Sequence, residues 1–307
     1  MGHQNARFYF TQSLEGLAEA GAWLGVENGF AQDADHRLLI TNQHSRFLKE
    51  ALDGRPLYMR AWIMSRGAHD AEVLQILFHA ESDERAAIFL TRILCIDRAG
   101  RSIFWPKPVD RQSVDESVIA RGLAPGDSPL DTADEAMRPG VISTGRGVVL
   151  PSECDAADRM RTDAIVGRVS DAMHLIMALC DENRQLAGVQ HTASAAIECR
   201  LAYHRFPAAG TRFHVRSGLV AMTEKTRQIM NWMIDSATGE LFATLESLEV
   251  AFDLEKRRAT EWSASTRAAG AAMLVDGAPI QLVCPPATLP FANASAEVLS
   301  PLPSTKT

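Results

Sequence analysis

The sequence contains no apolar run long enough to cross a membrane, because Arg, Asp, His or Asn interrupts every candidate. It also lacks an excess of basic charge. Its 31 Lys and Arg residues against 38 Asp and Glu give a net charge of −7, which argues against a protein built to coat nucleic acid or an anionic membrane surface. Cysteine is scarce and unpatterned: Cys95, Cys154, Cys180, Cys199 and Cys284 form no Cys-x-x-Cys pair and no Cys/His ligand spacing. Free thiols and no structural metal are expected. The N-terminus MGHQNARFYF lacks the basic-then-apolar pattern of a secretory signal, so a cytoplasmic location is the expectation. What remains is the balance of an ordinary soluble globular protein, 46% hydrophobic and 22% charged over 307 residues. That length allows one large domain or two of about 150 residues each.

Three landmarks recur at a single offset. Gly2 and Asp158 each open a stretch leading into an amphipathic helix, Gly54 and Gly210 each lie in a turn, and Asp97 and Asp253 each end an apolar strand. The differences 158 minus 2, 210 minus 54 and 253 minus 97 are all 156, which marks an internal repeat. Between the landmarks the match is expected to need small compensating gaps. In the first half Phe10, Leu14, Leu17, Gly21 and Leu24 share one helical face; in the second, Ile165, Val169, Ala172, Met173, Ile176 and Cys180 do. Strands are expected near 37–49, 56–66, 70–80 and 85–97, and again near 192–206, 211–223, 226–235 and 240–254. One helix and four or five antiparallel strands per half is an α+β layout in which a sheet wraps a helix.

The expected organisation is a first unit over 1–105, whose N-terminal strand is absent, a linker over 106–140, a second unit over 141–262 and an extension over 263–307. The linker is rich in proline and acidic residues, and the extension in proline and alanine.

GHQNARFY, Gly2 to Tyr9, leads into a helix bearing Leu14-Glu15 and resembles the GHxNxxxY signature of hot dog fold acyl thioesterases. CDAADRMR, Cys154 to Arg161, resembles the loop of 4-hydroxybenzoyl-CoA-type thioesterases in which an Asp precedes the long helix. QHSRFLKEALDGRPL, Gln43 to Leu57, is similar to the strand and turn of betainyl-CoA thioesterase-type domains. Together these imply two tandem hot dog units forming an intrachain pseudo-dimer. The chain departs from the pattern in two places. The counterpart of Asp155 in the first half would fall at position −1, so coding sequence upstream of Met1 is expected to supply a strand and an Asp. The second half has Asp158-Arg159 where the family often has Gly-His.

The resemblance implies hydrolysis of an acyl-CoA or related thioester, with no cofactor beyond the coenzyme A of the substrate. Thioester hydrolysis needs a base or carboxylate nucleophile and donors for the oxyanion. Asp155 is expected to supply the first, and the N-terminus of the helix beginning near Thr162 or Asp163 the second. Glu15 and Asp171 are repeat-equivalent, 171 minus 15 being 156, and related enzymes carry an acid on this helix. His3 and Asn5 match the GHxN positions, to orient water or bind the thioester carbonyl. Arg159, Arg161, Arg257 and Arg258 are candidates for the phosphates of coenzyme A, and Trp23, Trp62, Phe78, Met230 or Trp232 for the end of the acyl pocket. A hydratase is disfavoured because neither half has an Asp-x-x-x-x-His pattern. The rival reading is a non-catalytic acyl-CoA-binding hot dog; a partner-binding role for the extension is a third. No nucleic acid or membrane partner is expected, and pseudo-dimers of this kind are candidates for further homo-oligomerisation.

Overall fold

A computed structural model of the chain describes residues 6–31, 33–52, 54–108, 123, 127–180 and 192–278. Helix α1 (Ala6–Trp23) is followed by strands β1 (Arg37–Phe47), β2 (Leu57–Arg66), β3 (Asp70–His79) and β4 (Arg85–Ile96). Strand β5 (Ile142–Val148) precedes helix α2 (Thr162–Leu179), and β6 (Thr192–Tyr203), β7 (Arg212–Met222), β8 (Thr226–Asp235) and β9 (Leu241–Asp253) follow it. A short β10 (Arg258–Ala259) and helix α3 (Ala264–Ala272) close the described chain. All strands join one antiparallel sheet in the order β2-β3-β4-β1-β6-β9-β8-β7-β5, with β10 paired to β9. No described helix is long and apolar enough to cross a membrane.

The repeat runs through the structure without a gap between α1 and β4. Adding 156 to the limits of α1 gives those of α2, since 162 minus 6 and 179 minus 23 are both 156. Strand β3 maps onto β8 in the same way, from 70–79 to 226–235. Even the irregularities repeat: shifts in register at Ile40/Asn42, Ile63/Ser65 and Leu77/Phe78 recur at Ala196/Glu198, Leu219/Ala221 and Met233/Ile234. The compensating gaps expected from the sequence are therefore not needed here; side chains diverged while the backbone kept its length. Where β3 turns into β4, Asp83 takes φ +55°, and its counterpart Gly239 takes φ +77°. Both residue types tolerate this left-handed conformation.

The halves meet where β1 pairs with β6. In that ladder His44 lies opposite Arg200, and 200 minus 44 is again 156, so this pair marks a local two-fold axis. The helices lie on one face of the sheet across the same axis, where the Arg7 Nε on α1 donates to the Asp163 Oδ2 on α2 at 3.1 Å. Phe10 and Leu17 of α1 and Ile165 and Val166 of α2 join Phe89, Leu201, Phe213 and Phe242 of the sheet in the main core. Each helix buries a stripe at three- to four-residue spacing. Strand β5 has no counterpart in the first half among the described residues.

The opposite sheet face in the second half is covered by the chain leading to β5. The Trp232 indole donates to the Leu130 carbonyl at 2.9 Å, and Asp131 accepts from the Thr244 hydroxyl at 2.6 Å and contacts His204 Nε2 at 2.7 Å. Leu130, Ala136, Val141, Met230, Trp232 and Val275 make a second core there. Part of the expected extension is ordered as well: α3 is capped by Ser263, whose Oγ accepts from Thr266 N at 3.0 Å. It packs on β7, with Gly270 so close to Met222 that a β-carbon there would meet the sulfur at 2.3 Å.

Candidate active site

The loop entering α2 is built from short-range polar contacts. Glu153 accepts from Leu150 N at 2.8 Å and from Arg168 Nε at 2.6 Å. Burial pushes its carboxyl up, but Arg168 and the Leu150 amide pull it to a net position below its ordinary value. Asp155 closes the following turn: Oδ1 accepts from the amides of Ala157 at 2.8 Å and Arg159 at 3.0 Å. Its Oδ2 accepts from Arg159 Nε at 3.0 Å and Nη2 at 2.8 Å. Asp158, at φ +55°, gives the chain the reversal that this closure requires.

Helix α2 then starts with its first amides unpaired. Thr162 N and Asp163 N find no acceptor among the described residues, as expected for the first turn of a helix. The Thr162 hydroxyl is buried against the hydroxyl of Tyr203, which is buried as well. Asp163 is 3% exposed in its side chain and anchors the helix start. Arg161 Nε reaches its Oδ1 at 2.9 Å, and Arg7 Nε and the Thr11 hydroxyl reach its Oδ2. Burial raises the Asp163 carboxyl, but Arg161 and Arg7 outweigh it and hold the group below its ordinary value.

Beside this helix start lies a cavity of about 300 Å³. Its polar lining residues are Glu15 from α1 together with Asp155, Arg159, Arg161 and Thr162. Leu14, Ala18, Phe30, Leu38, Leu39, Ile40, Met160 and Phe206 supply the rest of the wall. Residues 14–40 and residues 155–206 come from different repeats, so neither half could form this cavity alone. Glu15 is exposed, and among the described residues its carboxylate accepts one hydrogen bond, from Gln12 Nε2 to Oε2 at 3.3 Å.

Of the residues expected from sequence, Asp155, Glu15, Arg159 and Arg161 come together here. Asp171 is exposed on α2 and is not part of this wall. Nor are Arg257, which pairs with Glu50 in the turn between β9 and β10, and Arg258, which is exposed on β10. His3 and Asn5 lie outside the described residues. The bulky side chains proposed to end the pocket are elsewhere: Trp62 and Phe78 pack in a separate cluster, and Met230 and Trp232 lie under residues 130–141. Trp23 packs against the main core without lining the cavity. Strand alternation explains Trp62, because its neighbours Ala61 and Ile63 already face the helices. Sequence reasoning missed Phe30, the stretch Leu38–Ile40 and Phe206; their signal, an apolar residue in a loop or at a strand start, is too common to single them out. Among the described residues no group of three or more His, Cys, Asp or Glu side chains is arranged to hold a metal ion.

Residues 149–270 match the family model of the thioesterase-like superfamily. The chain has the hot dog fold of thioesterases. A putative oleoyl thioesterase from Lactobacillus plantarum superposes with a TM-score of 0.59 at 7% identity, covering 81% of this chain and 90% of that one. An acyl-ACP thioesterase from Bacteroides thetaiotaomicron gives 0.53 at 7% identity, over 81% and 90%. The 12:0-ACP thioesterase from Umbellularia californica gives 0.52 at 11% identity, over 78% and 86%. No curated protein sequence matches the chain.

Proposed function

We propose that the protein is a double hot dog thioesterase that hydrolyses an acyl-CoA at one site, using Glu15 as general base and the N-terminus of α2 as oxyanion hole. The observation that carries this reading is the shared cavity: Glu15, a lightly bonded acid of one repeat, and Thr162, the first residue of α2 in the other, line the same apolar space. The thioester carbonyl oxygen accepts from the unpaired amides at the start of α2. Glu15 takes a proton from water as its oxygen bonds to the carbonyl carbon. The carbon–sulfur bond then breaks, and Glu15 returns the proton to the departing thiolate, giving a free acid and a thiol.

Asp155 serves this site as a positioning residue. Its two oxygens already accept four N–H groups, which leaves little lone-pair capacity for water, whereas it fixes the turn and aims Arg159 at the rim. Arg159 and Arg161 at the edge of the cavity suit the phosphates of coenzyme A, and the reaction calls for no cofactor.

Free-thiol release from a panel of acyl-CoAs tests the proposal. Glu15→Gln is expected to lose about a hundredfold or more in kcat with little change in KM, and Asp155→Asn is expected to lose less. Binding of acyl-CoA by the unaltered protein with no turnover of any substrate would favour the non-catalytic acyl-binding reading instead.

A further inference from the structure

Two positions where α1 faces α2 are equivalents of each other in the repeat. Arg7 corresponds to Asp163 and Thr11 to Gly167, since 163 minus 7 and 167 minus 11 are both 156. In a symmetric pair of units, two identical residues would face each other at the first position, each beside the second position of the other unit. Here the residues have diverged into complements. The Arg7 Nε donates to Asp163 Oδ2 at 3.1 Å, and the Thr11 hydroxyl donates to the same oxygen at 3.4 Å. Gly167 makes room for the arginine, because a β-carbon on it would stand 3.1 Å from Arg7 Cδ. A cation in the first turn of α1 opposes the helix dipole, whereas the Asp163 carboxylate in the first turn of α2 suits it. Arg7 is thus placed against the preference of its own helix, and the contact it makes with the other repeat accounts for it.

Asp163 joins three elements. Besides Arg7 and Thr11 of α1 it accepts from Arg161 Nε at 2.9 Å, and Arg161 Nη1 holds the entering loop through the carbonyls of Ser152 at 3.1 Å and Cys154 at 3.4 Å. Those three elements, α1, the loop and the start of α2, bring Glu15, Asp155 and Thr162 to the cavity. We propose that Arg7 and Asp163 form a cross-repeat clamp that fixes the first turn of α2 relative to Glu15, which makes Arg7 a positioning residue for hydrolysis. This rests on the thioesterase reading of the same site. Glu15 is already held to the sheet of its own repeat by its near neighbour Ser13, which bonds Gln75 and Gln43. Among the described residues, the hydrogen bonds that carry this frame from α1 to α2 are those of Arg7 and Thr11, both to Asp163.

The test is kcat and KM for the acyl-CoA that the unaltered protein hydrolyses fastest, together with amide hydrogen exchange, in Arg7→Met, Arg7→Lys, Asp163→Asn and the Arg7→Met/Asp163→Asn pair. Misplacing a reacting group by about 1 Å costs about a hundredfold, so a smaller shift in Arg7→Met is expected to lower kcat about tenfold with KM within about twofold. Arg7→Lys keeps the charge and restores most of the rate. Asp163→Asn also releases Arg161 and loses more, and the paired variant is no slower than Asp163→Asn alone, because the two residues act through one contact. The amides of Ala164 and Ile165, which bond the Arg161 carbonyl at 3.0 and 3.1 Å, exchange about tenfold faster in Arg7→Met, although that change lies on the other repeat. Turnover in Arg7→Met within about twofold of the unaltered rate, losses that multiply in the paired variant, or no rescue by Arg7→Lys overturns the inference and leaves hydrolysis standing. Release of no thiol from any substrate by the unaltered protein contradicts hydrolysis instead, and the clamp is then read from exchange: faster exchange at Ala164 and Ile165 in Arg7→Met supports it. Unchanged exchange there overturns the clamp in either case. Arg7→Met and Arg7→Lys carry the test if Asp163→Asn does not fold.

Discussion

Glu15 and Asp155 are both carboxylates on the wall of one cavity, and hydrogen bonding separates their capacities. Asp155 accepts four N–H groups from a turn of its own making, while Glu15 receives one from Gln12. The hydroxyl of Thr162 is spent elsewhere, buried at the start of α2 against the buried hydroxyl of Tyr203. Thr162→Val keeps the shape and removes a buried polar group, so stability is expected to fall by about 1 kcal/mol in denaturant unfolding while kcat stays within about twofold, and Thr162→Ser to restore most of the stability. The sequence made both acids legible as candidates through the repeat and the resemblance. It did not rank them, because the bidentate contact from Arg159 back to Asp155 depends on the turn at Asp158, and that turn is a matter of backbone geometry.

Helix α1 is held on its sheet by a polar network as well as by its apolar stripe. The Ser13 hydroxyl donates to Gln75 Oε1 at 2.7 Å and accepts from Gln43 Nε2 at 2.7 Å, and Gln75 Nε2 donates to the Ser13 carbonyl at 2.8 Å. Gln43 also reaches the Thr91 hydroxyl at 3.0 Å. Ser13, Gln75 and Thr91 are fully buried. Ser13→Ala strips partners from two buried amides and is expected to cost about 2 kcal/mol, measured by denaturant unfolding, while Gln12→Ala on the exposed side costs much less. Elements were largely legible in the sequence: α2 begins at Thr162, β3 and β8 end within a residue of their expected limits, and turn residues at Gly54 and Gly210 punctuate both halves. The chain over 127–140 belongs to the stretch 106–140 that the sequence marks as a linker, with few large apolar residues. Its role as a cover over Trp232 was hidden, since the contacts come from single residues such as Leu130 and Asp131 meeting strands about 100 residues away.

At the scale of the whole molecule, the repeat has kept its backbone and given its two ends different chemistry. Asp171 occupies the position of Glu15 but lies outside the cavity wall, so Asp171→Asn is expected to leave thiol release within about twofold of the unaltered rate. Charged contacts at the start of α2 and beneath the second half of the sheet set the response to pH. Asp163 and Glu153 titrate below their ordinary values of 3.8 and 4.5 in the folded state, so their contribution is complete above those values and is lost as pH falls through the lowered ones. His204, held by Asp131, titrates above its ordinary 6.5. Its contribution is complete below 6.5 and is lost as pH rises through the raised value. Unfolding midpoints are therefore expected to drop below about pH 4, and Asp163→Asn to flatten that acid limb. His204→Gln is expected to remove a smaller decline on the alkaline side.

The central claim is that one hydrolytic site is assembled from Glu15 of the first repeat and the α2 N-terminus of the second. The most direct measurement compares turnover of the acyl-CoA that the unaltered protein hydrolyses fastest by that protein, Glu15→Gln and Asp171→Asn, alongside binding of the matching S-alkyl-CoA thioether to each. The expected result is loss of turnover in Glu15→Gln alone, with thioether affinity within about twofold in all three. Full turnover in Glu15→Gln, or its loss in Asp171→Asn, would contradict that assignment.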